Sequence, residues 1–295
     1  MSTATPITRP RGHAVLRGLA ELGSNVKLTS GLVLVLSLVA LAVIGPLLVD
    51  TEMARPISAP TNRPPSPDYL LGTDGGGRDL LAVIIASTPQ TLRLGLLAGL
   101  IGTVGGTFLG LVAGFFGGWL DRIISTATDV VLTIPPLAIL LIVAASVRSV
   151  SVEMMAFIIA ALAWMHPARS IRAQVLSLRE RAYVEIARIS GMGDLRIALF
   201  EVLPNLLPLI MSSFVAAVSG AILAALGLEA LGFGPQDTPT LGMTVYWSLL
   251  YGAFGRNMWW WWAPPIVILA ILFIGLFLIS VGLDEAVNPR LRRQA

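Results

Sequence analysis

The chain has 295 residues, of which 55% are hydrophobic and only 13% charged, with a formal net charge of +3. Soluble domains carry about 25% charged residues, so this composition, with a mean hydropathy of +0.81, excludes an ordinary soluble globular protein. There is no cysteine and there are only two histidines, His13 and His166, which excludes a disulfide framework and a thiolate metal site and argues against a histidine-rich one. The expected fold class is an all-α polytopic membrane protein with six transmembrane helices. Nearly all the basic residues are Arg in short segments between apolar runs, which is a topology signal and not a nucleic-acid one.

Residues 1–27 are polar, carry Arg9, Arg11, Arg17 and Lys27, and are expected to form a cytoplasmic arm. Leu28 to Val49 is free of charge and long enough to cross a core of ~30 Å at 1.5 Å per residue. A signal peptide has an apolar region of only about 7–15 residues, so this run reads as a retained first transmembrane helix. Residues 50–88 are hydrophilic and contain Pro56, Pro60, Pro64, Pro65 and Pro67, predicting an irregular extracytoplasmic segment without regular helix. Within it, Gly75 to Gly77 are not followed by Lys-Ser/Thr, so no phosphate-cradling loop is indicated. Asp74, Arg78 and Asp79 are expected to form an ion-pair and capping cluster at the pore mouth.

A core over 89–284 follows. Leu94 to Leu120 is charge-free, and Gly102, Gly106 and Gly110 form overlapping G-x-x-x-G pairs that read as helix packing. The third span, Ile123 to Val147, carries Asp129 and the pair Pro135-Pro136. An ionisable residue inside a span is a functional candidate, although Asp129 could also reach the cytoplasmic interface or pair with Arg122. Val152 to Pro167 is a shorter fourth span, Leu206 to Leu228 the fifth and Ala263 to Leu283 the sixth, with an outer loop over 229–262 and a cytoplasmic tail over 285–295. Trp259 to Trp262 would point all around a helix. They read as an interfacial aromatic belt, or else one or two rings, such as Trp259 and Trp260, line the external mouth and stack on sugars. Fourteen of the 20 Lys and Arg fall in segments assigned to the inside, which places both termini in the cytoplasm.

The polar, Arg-rich stretch 179–205 separates the fourth and fifth spans. A charge at the bilayer centre costs roughly 2.5–3.5 kcal/mol, so this stretch is expected as a short helix pair on the cytoplasmic surface. Glu185, Ala187, Gly191, Leu203 and Pro204 stand at the spacing E-x-A-x3-G-x11-L-P. This resembles the EAA signature of membrane subunits of binding-protein-dependent ABC importers, departing at Ile186, where a second Ala is usual. Leu71 to Leu81 resembles the L-G-T-D-x-x-G-R-D-x-L segment of the oligopeptide and dipeptide branch. Gly232 to Gly242 resembles the Gly/Pro-rich segment after the family's fifth helix, and the ending from Gly282 to Arg290 is similar to the family's terminal motif. Ala225 stands where many relatives have an acid and Glu229 where a small residue is commoner, which would move an acidic group about one helical turn along the pathway face.

The resemblance is to the second (C-type) permease subunit, whose fold is a five-helix core plus an N-terminal helix in the bacterial inner membrane. It implies a heterodimer with a second homologous permease, two ATP-binding subunits and an extracytoplasmic substrate-binding protein. ATP and Mg would sit on the ATPases, and no cofactor on this chain, which has no G-x4-G-K-[ST] loop. Tyr183, Glu185, Ala187, Arg188, Gly191, Leu203 and Pro204 would couple to the ATPases, with Glu185 contacting either the ATPase or Arg188. Gly72, Asp74, Arg78 and Asp79 would form the extracytoplasmic motif. Asp129, Glu229, Trp259 and Trp260 are candidates for the pathway or its mouth. Peptides are the implied substrate. An oligosaccharide is the alternative, to which the tryptophan run, Trp247 and Tyr251 add weight. A membrane-embedded enzyme could draw on Asp129 and His166, but the sequence shows no H-E-x-x-H, paired-Asp or G-x-S-x-G motif, and a passive channel would not need the coupling motif.

Overall fold

The computed structural model describes residues 25–147 and 150–287. Most of the expected N-terminal arm and the terminal N-P-R motif lie outside the described residues. Among those residues the chain is helical, with five helices long and apolar enough to cross a membrane and a sixth span if one bent pair is counted together. It is an all-α multi-pass membrane protein. The helices are α1 (Val26–Leu48), α2 (Leu80–Phe116), α3 (Gly118–Thr133), α4 (Pro136–Ala145), α5 (Val152–Ala163) and α6 (Met165–Leu178). They continue with α7 (Ala182–Ile189), α8 (Asp194–Ile197), α9 (Leu203–Ala230), α10 (Leu241–Leu250) and α11 (Trp259–Val287).

The central helix is α2, and its glycines are the reason. A Cβ on Gly102 would lie 2.6 Å from the Ala163 side chain, one on Gly106 2.5 Å from the Trp164 carbonyl, and one on Gly110 2.6 Å from the Ala168 carbonyl. The α5–α6 backbone therefore lies directly in the groove that these residues leave. Higher on α2, Gly95 and Gly99 receive Ile222 and Val218 of α9 in the same way. At the bundle's edge α1 packs on α11 through Gly31 and Gly275. Asn25 Nδ2 donates to the Gly282 carbonyl at 2.9 Å and Lys27 pairs with Glu285, so the first part of the terminal motif clasps the start of α1.

Four boundaries differ from the sequence expectation. First, α2 begins at Leu80, inside the stretch expected to be irregular. The prolines there end at Pro67, Asp79 caps the helix by accepting from the Leu81 amide at 3.2 Å, and Pro89 removes one donor from the helix. Second, the third span is broken: α3 and α4 meet at an 81° bend, because Ile134 before Pro135-Pro136 is held extended (φ −89°, ψ 132°). Third, the fourth span continues past Pro167 to Leu178. Within it Arg172 is bidentate on Asp121 (Nη2–Oδ2 2.8 Å), and just past its end Arg179 Nη1 donates to the Gly114 carbonyl at 3.0 Å. Fourth, the outer loop contains α10, capped by the Thr240 hydroxyl.

Candidate functional site

The segment between α6 and α9 folds as a helical hairpin at one end of the bundle. Its first arm, α7, is amphipathic. Val184 and Ala187 are buried against Ile171, Val175, Ile197, Ala198, Val202 and Leu206, while Ile186 and Ile189 are 64% and 80% exposed. The helix ends in a Schellman arrangement: the Met192 amide donates to the Ala187 carbonyl and the Gly191 amide to the Arg188 carbonyl, both at 3.1 Å. Gly191 supplies the left-handed residue at φ +82°, and Ser190 Oγ donates to the Ile186 carbonyl at 2.8 Å. The second arm, α8, passes through a π turn over Ala198–Val202 into α9, with Leu203 half-buried and Pro204 exposed in α9's first turn.

The signature residues therefore divide by direction. Ala187 faces the chain's own core, so its small size serves the packing of α7 on α6 and α9 and not an incoming surface. Glu185 is exposed, and Arg188 points away from it to Asp194, at 3.5 Å. Tyr183 is half-buried, its hydroxyl has no hydrogen-bond partner among the described residues, and burial pushes the phenol's pKa above its ordinary value. The two exposed isoleucines lie one turn apart and make an apolar stripe on the outer side of α7.

At the opposite end, the 50–79 segment wraps around Asp74. The buried Asp74 carboxylate accepts from the Gly76 and Arg78 amides at 2.8 and 2.9 Å and from Arg78 Nε at 2.6 Å. Asp79 instead caps α2, and burial, outweighing its amide hydrogen bonds, holds its pKa above the ordinary carboxylate value. The glycines before Arg78 have packing roles: Gly75 sits on the Trp261 ring and Gly72 near Trp260.

The profile of the family described as "binding-protein-dependent transport system inner membrane component" matches residues 106–293, more than half of the chain. This chain belongs to that family. Two relatives agree over nearly the whole length of this inner membrane component. The dipeptide transport system permease protein DppC of Haemophilus influenzae is 32% identical, with 89% of this chain and 90% of that protein covered. DppC of Alkalihalophilus pseudofirmus is 28% identical, covering 92% and 88%. A solved structure of the MetNI methionine ABC transporter, in an inward facing conformation, superimposes with a TM-score of 0.54 at 20% identity, covering 70% of this chain and 95% of that one. That likeness concerns the fold alone.

The remaining sequence candidates of this inner membrane component fall in three places. Asp129, on α3, faces Arg169 of α6 at 3.8 Å and not Arg122, because α6 lies across the same face of α3. Glu229 is buried at the end of α9, where it accepts from Thr240 Oγ1 at 2.6 Å. The small residues Gly234 and Gly242 leave the room that its carboxylate fills, which ties the Gly/Pro-rich loop to α9. The tryptophans do not form an exposed belt. Trp261 is fully buried and stacked on Tyr251 (centroids 5.8 Å, 28°), Trp260 and Trp262 pack against the same cluster, and Trp259 is the exposed one. Among the described residues no group of three His, Asp or Glu could hold a metal ion. Sequence reasoning missed Thr91, whose hydroxyl accepts the Leu241 amide at 3.0 Å and docks α10 on α2, since an isolated Thr within an apolar run gives no signal. It also missed Arg172–Asp121, although Asp121 and Arg172 bracket neighbouring span ends.

Proposed function

We propose that this chain is the permease subunit that forms half of the translocation path of an ATP-driven importer of di- or oligopeptides. A second homologous permease would complete the path, one of two ATPases would dock on the α7–α8 hairpin, and an extracytoplasmic binding protein would deliver substrate at the opposite end. Both termini would then be cytoplasmic, and hydrolysis would belong to the partners. The observation that carries the reading is the α7 surface. Ile186 and Ile189, one turn apart on the same side of α7, are exposed on a hairpin rigidified by its own buried face, an apolar patch of the kind a protein partner covers. The names of the two relatives support the peptide substrate. The sugar alternative loses its support, because three of the four indoles are taken up in packing.

Isolation of the tagged chain from its native membrane under mild detergent is expected to bring down two ATPases, a second permease and a binding protein. Calorimetric titration of that binding protein with tripeptides and with maltotriose is expected to give binding for peptide only. Recovery without ATPases would refute the coupling role, and binding of the sugar alone would refute the peptide one.

A further inference from the structure

Helices α3 to α6 and α9 line a cavity and a polar niche. Beside the 81° bend lies a cavity of about 480 Å³, lined by Pro136, Leu140, Leu162 and Gly220 and, on α6, by His166 and Ser170. One turn further along α6, on the same side of the helix, Arg169 lines a polar niche of about 110 Å³ together with Ser125, Thr128, Asp129 and Arg172. The side chains of Arg169 and Asp129 are 68% and 64% exposed. By the rise of a helix they lie roughly 13 Å from the end of α6 and roughly 16 Å from the start of α3. Exposed charges on a membrane subunit are tolerated against water or a polar partner and not against lipid, so this face is turned away from lipid. The two arginines differ in commitment. Arg172 is held bidentate by Asp121, whereas Arg169 meets Asp129 only loosely, at 3.8 Å.

We infer that Arg169 is a substrate subsite that takes the C-terminal carboxylate of a short peptide, while an apolar side chain of that peptide enters the cavity beside His166. Asp129 orients the guanidinium until the peptide carboxylate replaces it. A planar guanidinium with donors to spare suits this exchange, and the mostly apolar cavity above it suits an uncharged side chain. The inference rests on the peptide reading and adds the group that is recognised and where.

The experiment is uptake by the complete transporter in proteoliposomes, comparing trileucine with trileucine amide. The wild type is expected to show a lower KM for the free acid. Arg169→Gln is expected to erase about tenfold of that preference, which corresponds to about 1.4 kcal/mol, and Arg169→Lys to keep part of it. Equal KM values for the two peptides in the wild type, or an unchanged preference in Arg169→Gln, would overturn the subsite and leave the peptide reading standing. Failure of the wild type to take up either peptide would overturn both. Because the chain has no cysteine, Ala217→Cys, in the lining of the cavity on α9, gives a second readout that leaves Arg169 intact. Alkylation by a membrane-impermeant maleimide, slowed by trileucine, is expected, and absence of labelling in every nucleotide state would refute the aqueous access that the subsite requires.

Discussion

Gly191 offers a separation of backbone conformation from packing. A Cβ added there meets nothing within 4 Å, yet φ is +82°, so any effect of a larger residue comes from the left-handed backbone and not from a clash. An L-residue pays roughly 1–2 kcal/mol in that conformation, Asn pays less, and a β-branched residue pays more. The two Schellman hydrogen bonds that orient α7 towards α8 depend on that residue. A penalty of about 1.4 kcal/mol lowers the population of the correctly turned hairpin tenfold relative to its alternatives. ATP-driven uptake should therefore fall in the order Gly, Gly191→Asn, Gly191→Ala, Gly191→Val, with the last retaining ATPases poorly on purification while still reaching the membrane. Full uptake and full ATPase recovery in the Gly191→Val variant would refute the claim that this turn sets the docking geometry.

Other perturbations reach different parts of the fold. Gly106→Val forces a side chain into the Trp164 carbonyl and Pro167; overpacking of this kind costs about 1–3 kcal/mol, and the midpoint of thermal unfolding in detergent should drop. Trp261→Ala empties the centre of the Tyr251 cluster, and a loss of about 3–5 kcal/mol should appear as protease sensitivity of the 50–79 segment before the transmembrane helices unfold. Asp79→Ala removes the α2 cap at a cost of about 1 kcal/mol, whereas Asp79→Asn keeps the cap. Since the folded state raises the Asp79 pKa, the native site favours the neutral acid, and its contribution to stability falls as pH rises through the carboxylate range. The Asn variant should flatten that part of the pH–stability curve, and a steeper slope would contradict the assignment.

The apolar runs announced the five unbroken spans but not the bend that splits the remaining one, because a bilayer demands about 20 apolar residues per crossing. The hairpin was legible too, because its charges cannot enter lipid and its glycine stands at a fixed interval. What escaped were two short or late local starts and several features decided by partners distant in sequence. The start of α2 at Leu80 depends on a cap that follows five prolines, and α10 is too short to declare itself within a loop. The direction of Ala187 follows from where α9 returns, and the burial of Trp261 follows from the chain folding Gly75 over it. The pairing of Asp129 with Arg169 required knowing that α6 crosses α3, which no local pattern states.

The tether at Glu229 has a mechanical meaning. The Gly/Pro-rich loop and α10 are fastened to the last turn of α9, and the first turn of α9 grows directly out of the α7–α8 hairpin. One helix of 28 residues, about 42 Å at 1.5 Å per residue, therefore joins the two ends of the molecule without an intervening loop. A tilt imposed at the hairpin becomes a displacement of the far loop by simple leverage. A shift of a few degrees at one end is a shift of a few ångströms at the other, and the two ends of the protein cannot change state independently while that helix stays whole.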